Sequence, residues 1–293
     1  MQTTQAIGPA RCQHSGCTVA LKIYMLDQVP ENTLHMLARE IQIHASLVHP
    51  HIAALYGAFQ DGKYLVMVQE WAARGDLHAI HRARGRPLGE EQLARVVLAP
   101  FLSALAYLHS RGICHRDIKP ENILFTSDWE LKLAAPEVSR CPIKTSAFQN
   151  KERLDLAYTY AADVWSSGIL AYELLLGFPP FAEGGISAAA AAAAAGVAGR
   201  GPGADPDADD AAAAALPDHV LRLVLPPPLP RTLSAGARDF IRSALAADPA
   251  ERPSAMQLLR HPWMLGLAGA TARGEGAASQ ASAAVAAAGA SQT

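Results

Sequence analysis

Apolar positions recur with two periods along this chain, near two at first and between three and four later. Residues 17–24 (CTVALKIY) are rich in β-branched side chains and read as a strand. Residues 30–47 carry a helical pattern that must end before Pro50. Residues 52–59 and 64–69 read as two more strands, joined by the turn Gln60-Asp61-Gly62. From residue 89 to residue 109 the pattern is helical, with Leu93, Val97, Leu105 and Leu108 as candidate buried positions. Pro100 lacks a backbone N–H and should kink that helix. Residues 160–176 are apolar on most faces and predict a buried central helix stopped by Gly177. Two further helices are predicted over 234–246 and 254–260. Strands come early and helices late, which predicts an α+β fold: a small, mostly β lobe followed by a larger helical one.

Composition changes the picture in two places. Hydrophobic residues make up 50% of the 293, yet aromatics only 6%, so alanine supplies much of the apolar count. The alanine is concentrated in two soft segments, an insertion at 183–217 and a tail at 266–293, which lack the large apolar groups needed to offset ordering entropy. Lys and Arg number 25 against 27 Asp and Glu, a net charge of −2, which argues against a nucleic-acid partner. No uninterrupted apolar run reaches the roughly 18 residues of a membrane span, and no secretory signal opens the chain. Four cysteines in no framework spacing suggest a reducing compartment, so the expected location is cytoplasmic and/or nuclear with no membrane partner. Cys12, His14 and Cys17 have no fourth ligand nearby and are not read as a zinc site, and His44 is read as a packing residue.

The strongest chemical signal is His115-Arg116-Asp117-Ile118-Lys119-Pro120-Glu121-Asn122. These eight residues resemble the catalytic loop of eukaryotic Ser/Thr protein kinases. The resemblance extends over most of the chain. Ala20-Leu21-Lys22-Ile23 resembles the strand whose lysine holds the α- and β-phosphates of ATP, and Glu40 the helix glutamate that pairs with it. Glu70-Trp71-Ala72 sits where the family's hinge meets adenine through backbone groups, with Gln69 as gatekeeper and Ala20 and Leu124 sandwiching the base. Ala135-Pro136-Glu137, Asp163-Val164-Trp165, Arg252 and His261-Pro262-Trp263 resemble later family landmarks, and the pattern is most similar to Aurora-type kinases.

The resemblance implies a two-lobed kinase fold, with a truncated N-lobe and hinge over 1–72 and a C-lobe over 73–265. It implies transfer of the ATP γ-phosphate to Ser or Thr hydroxyls of protein substrates. Asp117 would be the base, Lys119 the support for the moving phosphate, and Asn122 the ligand of Mg²⁺. Two departures qualify this. No Gly-rich phosphate loop precedes Lys22, so the chain is expected to begin just after it. Leu131-Lys132-Leu133-Ala134 runs directly into Ala135-Pro136-Glu137, without the Asp-Phe-Gly metal ligand and activation loop that should intervene. The alternative is therefore a catalytically dead pseudokinase that works as a binding or scaffold protein. The shortening also predicts that either the strand at 130–134 or a Glu137–Arg252 contact is displaced. Residues 139–162, with Lys144, Lys151, Glu152 and Arg153, are expected to be a solvated loop.

Overall fold

The computed structural model describes residues 5–135, 151–180 and 229–269. Four antiparallel strands open it: β1 (Gln5–Arg11), β2 (Thr18–Met25), β3 (Leu55–Asp61) and β4 (Tyr64–Glu70), in the spatial order β1-β2-β4-β3. Helix α1 (Glu31–Ser46) connects β2 to the β3–β4 hairpin and packs on the sheet around Tyr24, Leu37 and Met67. The hairpin turns at Gly62-Lys63, later than the predicted Gln60-Asp61-Gly62, because β3 keeps its ladder as far as Asp61↔Tyr64. Gly62 takes the positive φ of 56° that this tight connection needs.

Beyond β4 the chain becomes mostly helical. A second sheet, β5 (Gly75–Asp76), β6 (Ile123–Phe125) and β7 (Leu131–Leu133), lies among α2 (Leu77–Arg84), α3 (Glu90–Ser110), α4 (Lys151–Leu176), α5 (Ala235–Ala244), α6 (Ala255–Leu259) and α7 (Pro262–Gly269). One large core runs from Leu93, Val97, Leu105 and Leu108 on α3, through Tyr172 on α4, to Phe240 on α5 and Leu258 on α6. The two halves are stitched together beside β7. Ala53 donates to the Leu133 carbonyl at 3.0 Å, and Leu133 donates to that of His51 at 2.8 Å. His44, 1% exposed, places Nε2 2.8 Å from the Ala53 carbonyl, so it packs α1 against the same junction.

Several expectations need correction. α3 is 21 residues long and apolar enough by length and composition to cross a membrane, although no unbroken apolar run marks it. It is the central core helix, with Leu93, Leu98, Phe101, Leu102, Leu105 and Leu108 fully buried. Just before Pro100 the helix carries a wide π-helical stretch over Leu93–Leu98, which the sequence pattern did not show. Ala99 donates to the carbonyl of Ala94, five residues back, and this wider turn accommodates the missing donor. α4 begins at Lys151, so 151–162 is helix, not loop; it ends where predicted, at Gly177 with φ 85°. Residues 266–269 of the expected tail complete α7. The insertion 183–217, the remainder of the tail, and Glu137 lie outside the described residues.

Candidate active site

The loop between α3 and β6 is set by one buried carboxylate. Asp163, 1% exposed on α4, accepts from the backbone N–H of His115 and of Arg116, each at 2.8 Å. Its Oδ2 also lies 2.8 Å from Nε2 of His109. Arg116 has φ 66°, a left-handed conformation that costs a non-glycine residue on the order of 1 kcal/mol or more. The two charge-assisted bonds to Asp163 offset that cost and fix the direction in which the loop continues.

Asp117 emerges from this turn half-buried. Its Oδ2 accepts from Lys119 Nζ at 2.7 Å and from Asn122 Nδ2 at 2.8 Å, and Asn122 Nδ2 also reaches the Asp117 carbonyl at 2.6 Å. Burial pushes the Asp117 carboxyl up, but the hydrogen bonds from Lys119 and Asn122 outweigh it and hold it below the ordinary carboxylate range. Asp117 is therefore an ionised acceptor at neutral pH. Lys119 brings its ammonium directly against that carboxylate.

Across the junction, Lys22 Nζ lies 2.9 Å from Glu40 Oε1, with only 15% and 8% of the two side chains exposed. Burial would lower the lysine pKa, but Glu40 more than compensates, so Lys22 stays charged. Tyr24 was not singled out from the sequence. Its hydroxyl lies 3.4 Å from the same Glu40 oxygen, and its ring lies 5.2 Å beneath Lys22 Nζ. The register places further residues on the Lys22 face. Ala20 is two positions away, Gln69 stands opposite Ala20, and Ile7 stands opposite Lys22. Ile7, 63% exposed, was also missed; strand pairing alone reveals it.

Glu70 ends β4, and Ala72 lies in the connection to β5. The Glu70 amide donates to the Ala54 carbonyl at 2.9 Å, and the Ala72 carbonyl accepts from Gly75 at 3.2 Å. The Glu70 carboxylate has its own task. It accepts from the Ala54 amide at 3.2 Å and pairs with Lys132 on β7 at 3.0 Å, locking the connection to the second sheet. Leu124 lies on β6, opposite Asp76 and Lys132. Catalytic-loop residues thus cluster at one end of β6, and Lys22 and Glu40 on the sheet side.

The oxygen donors for a divalent cation are few. The end of β7 is pinned beside Asn122: the Ala134 amide donates to the Asn122 carbonyl at 2.8 Å, and the Ala134 carbonyl lies 3.1 Å from His115 Nε2. The chain then continues into Ala135, whose side chain has no donor atom. Among the described residues no group of three His, Cys, Asp or Glu side chains could hold a metal. The nearby set is the Asp117 carboxylate, already engaged by Lys119 and Asn122, and the Asn122 amide oxygen. It does not fit a near-octahedral Mg²⁺ centre.

Comparison with known proteins agrees with this layout. The protein kinase domain family matches residues 7–264. The chain is 31% identical over 266 residues to an Aurora kinase of Schizosaccharomyces pombe, covering 87% of this chain and 66% of that protein. It is 32% identical over 270 residues to the serine/threonine-protein kinase Aurora-1 of Arabidopsis thaliana, covering 87% and 80%. The crystal structure of Rad53 1-466 in complex with AMP-PNP superposes with a TM-score of 0.64 at 28% identity, over 90% of this chain and 62% of that one. An early antiparallel sheet, a helical second lobe, a paired Lys22–Glu40 and a His-Arg-Asp loop held by Asp163 all occur within the matched span, and the chain belongs to the protein kinase family, among relatives of serine/threonine type.

Proposed function

We propose that this chain engages ATP and serine- or threonine-bearing proteins, and transfers phosphate between them very slowly. The observation that carries the reading is the Asp117–Lys119–Asn122 cluster held in place by Asp163. In this reading Asp117 accepts the proton of the substrate hydroxyl as it attacks, and Lys119 steadies the phosphoryl oxygens. Lys22, oriented by Glu40, holds the remaining phosphates. Ala20 and Leu124 enclose the adenine, and the backbone at Glu70 and Ala72 reads its edge. Mg²⁺, when bound, would neutralise the phosphate charge. Among the described residues the nearby donors, Asn122 and the already engaged Asp117, do not fit it, and charge neutralisation is the largest catalytic contribution in this chemistry.

A second reading, a pseudokinase that binds and scaffolds, is favoured by the Ala134-Ala135 junction. The two separate experimentally. Radiolabelled ATP, Mg²⁺ and a general Ser/Thr protein substrate are incubated with the chain and with Asp117→Asn. Slow labelling on serine or threonine that disappears in Asp117→Asn supports the kinase reading. Labelling that is absent, or unchanged in the variant, refutes it. Thermal stabilisation by ATP then tests nucleotide binding by itself, since ligand at a hundred times its Kd adds about 2.7 kcal/mol.

A further inference from the structure

Cys12 and Cys17 fall at the turn between β1 and β2, a place that the proposed phosphoryl transfer does not use. The ladder between these strands runs to Arg11↔Thr18, so Cys12 and Cys17 are the next facing pair. The Cys12 amide donates to the Cys17 carbonyl at 2.9 Å. Residues 13–16 close the loop tightly. The Gly16 amide donates to the Cys12 carbonyl at 2.8 Å, and Gly16 takes the positive φ of 70° that this return needs. Arg11 Nε donates to the Gly16 carbonyl at 3.1 Å and braces the loop from the strand. Hydrogen-bonded residues that face each other across an antiparallel ladder have Cα atoms about 5.5 Å apart. Disulfides span about 4.4–6.8 Å between Cα atoms, so the backbone already holds the two cysteines at a bridging separation.

Both sulfurs gather on Ser15. Cys17 Sγ donates to the Ser15 carbonyl at 3.8 Å, and the Cys17 amide donates to Ser15 Oγ at 3.3 Å. The Cys12 sulfur accepts from the Ser15 hydroxyl first, then from the backbone of Ser15 and His14, and these bonds hold its thiol below the ordinary range. Cys12 is half-buried and Cys17 exposed, whereas Cys114 is 4% exposed. Thiolate character and access together make a cysteine reactive, and a second cysteine beside it gives the oxidised sulfur a partner. Side chains alternate along the strands, so the pair continues the row of Ala10 and Val19, on the face opposite Lys22 and Ala20. Chemistry at this turn does not meet the proposed nucleotide cleft directly.

We propose that Cys12 and Cys17 form a reversible dithiol–disulfide pair, oxidised by hydroperoxides and restored by small thiols. The Cys12 thiolate attacks one peroxide oxygen. The O–O bond breaks, the sulfur is oxidised to a sulfenic acid, and the departing hydroxide or alkoxide takes up the thiol's proton to leave as water or an alcohol. Cys17 then attacks the Cys12 sulfur. The S–S bond forms, the S–O bond breaks, and hydroxide leaves with the Cys17 proton as water. An added dithiol reverses the bridge by exchange through a mixed disulfide, and exposed bridges are the ones that exchange readily.

The test uses the full chain, first reduced and then freed of reductant. Trypsin cuts after Arg11 and Lys22, so one peptide, residues 12–22, carries both cysteines. After a small molar excess of hydrogen peroxide this peptide should be lighter by two hydrogens and should lose all reaction with iodoacetamide. Dithiothreitol should restore both thiols, and Cys114 should remain fully alkylated once the chain is unfolded. In Cys17→Ser the sulfenic acid has no partner, so dimedone should label Cys12. In Cys12→Ser the same treatment should label Cys17 about tenfold less, since thiolate character sets the rate. Unfolding the unaltered chain in urea should slow bridge formation about tenfold, because the hairpin no longer holds the pair together. The proposal is overturned if the peptide stays fully alkylated at a peroxide level that oxidises free glutathione. Bridges to Cys114 or between chains, equal dimedone labelling in the two variants, or equally fast closure in urea would overturn it too. No step involves ATP or phosphate transfer, so failure here is distinguishable from failure of the kinase reading.

Discussion

The Lys22–Glu40 pair offers a quantitative test of whether the small lobe is held by a buried charge pair. At 2.9 Å, and with an effective dielectric near 20, the direct attraction is about 6 kcal/mol. Desolvation of both ions removes most of that gain, so the net value of the pair is small, whereas leaving one ion behind is costly. Replacing Glu40 with Leu strands the Lys22 ammonium against the Tyr24 ring. Lys22→Met strands the Glu40 carboxylate, 8% exposed, with only the Tyr24 hydroxyl at 3.4 Å. Lys22 keeps 15% exposure, so each single change is expected at about 2–3 kcal/mol, somewhat under the roughly 3–5 kcal/mol of a fully buried pair. The double variant replaces both ions with apolar groups and should lose only about 2 kcal/mol, which leaves a coupling of about 3 kcal/mol. Urea unfolding at neutral pH, followed by both tryptophan fluorescence and far-ultraviolet dichroism, measures all four corners. Two probes are needed because the two lobes need not unfold as one unit. If the two single effects simply add, or each stays below about 0.5 kcal/mol, the pair behaves as an exposed ion pair and the reasoning fails.

Two further outcomes follow from the site and from the lobe junction. Ala135 leaves β7 directly beside Asn122, so Ala135→Asp supplies the carboxylate that the metal site lacks; ADP affinity measured by calorimetry should become about tenfold tighter with Mg²⁺ than without it, while the unaltered chain shows little difference. A variant as indifferent to Mg²⁺ as its parent would remove the metal-deficit argument. His44 is held below the ordinary imidazole pKa by burial, which outweighs its bond to the Ala53 carbonyl, so the fold favours the neutral ring. That contribution is complete above the unfolded pKa of about 6.5 and is lost as pH falls through the lower folded value. The urea midpoint should therefore drop between neutral pH and about pH 5, and drop less in His44→Gln; His49 and His81, also lowered mainly by burial, and the Asp117 and Glu90 carboxyls, held down by their hydrogen bonds, add to the remaining slope. An identical drop in both proteins would show that His44 is not the group involved.

The order of the elements was legible because period alone separates strands from helices, and the catalytic loop was legible because its chemistry fixes its spacing. Polar contacts that join distant segments were not. Glu90 opens α3, and its carboxylate accepts from the Ser234 amide at 2.7 Å, the Ser234 hydroxyl at 2.6 Å and the Trp263 indole at 2.9 Å. Nothing in the local pattern links positions more than 140 residues apart. The Glu70–Lys132 pair and the Tyr24 hydroxyl depend in the same way on strand register, which is known only once the sheet is assembled. The junction at Ala134 joins β7 directly to Ala135-Pro136-Glu137. Shortening the chain there required either a displaced strand or a displaced Glu137. The strand keeps its ladder, with Ile123↔Leu133 paired and the Ala134 amide on the Asn122 carbonyl. Glu137 lies outside the described residues, while Arg252, its expected partner, is described in full. It donates to the carbonyls of Ala246 at 2.8 Å, Ala161 at 3.0 Å and Ala247 at 3.2 Å, and it stacks on Trp165 at 4.6 Å. Among the described residues, three carbonyl acceptors and an aromatic face fix the Arg252 guanidinium between α4 and the connection from α5 to α6.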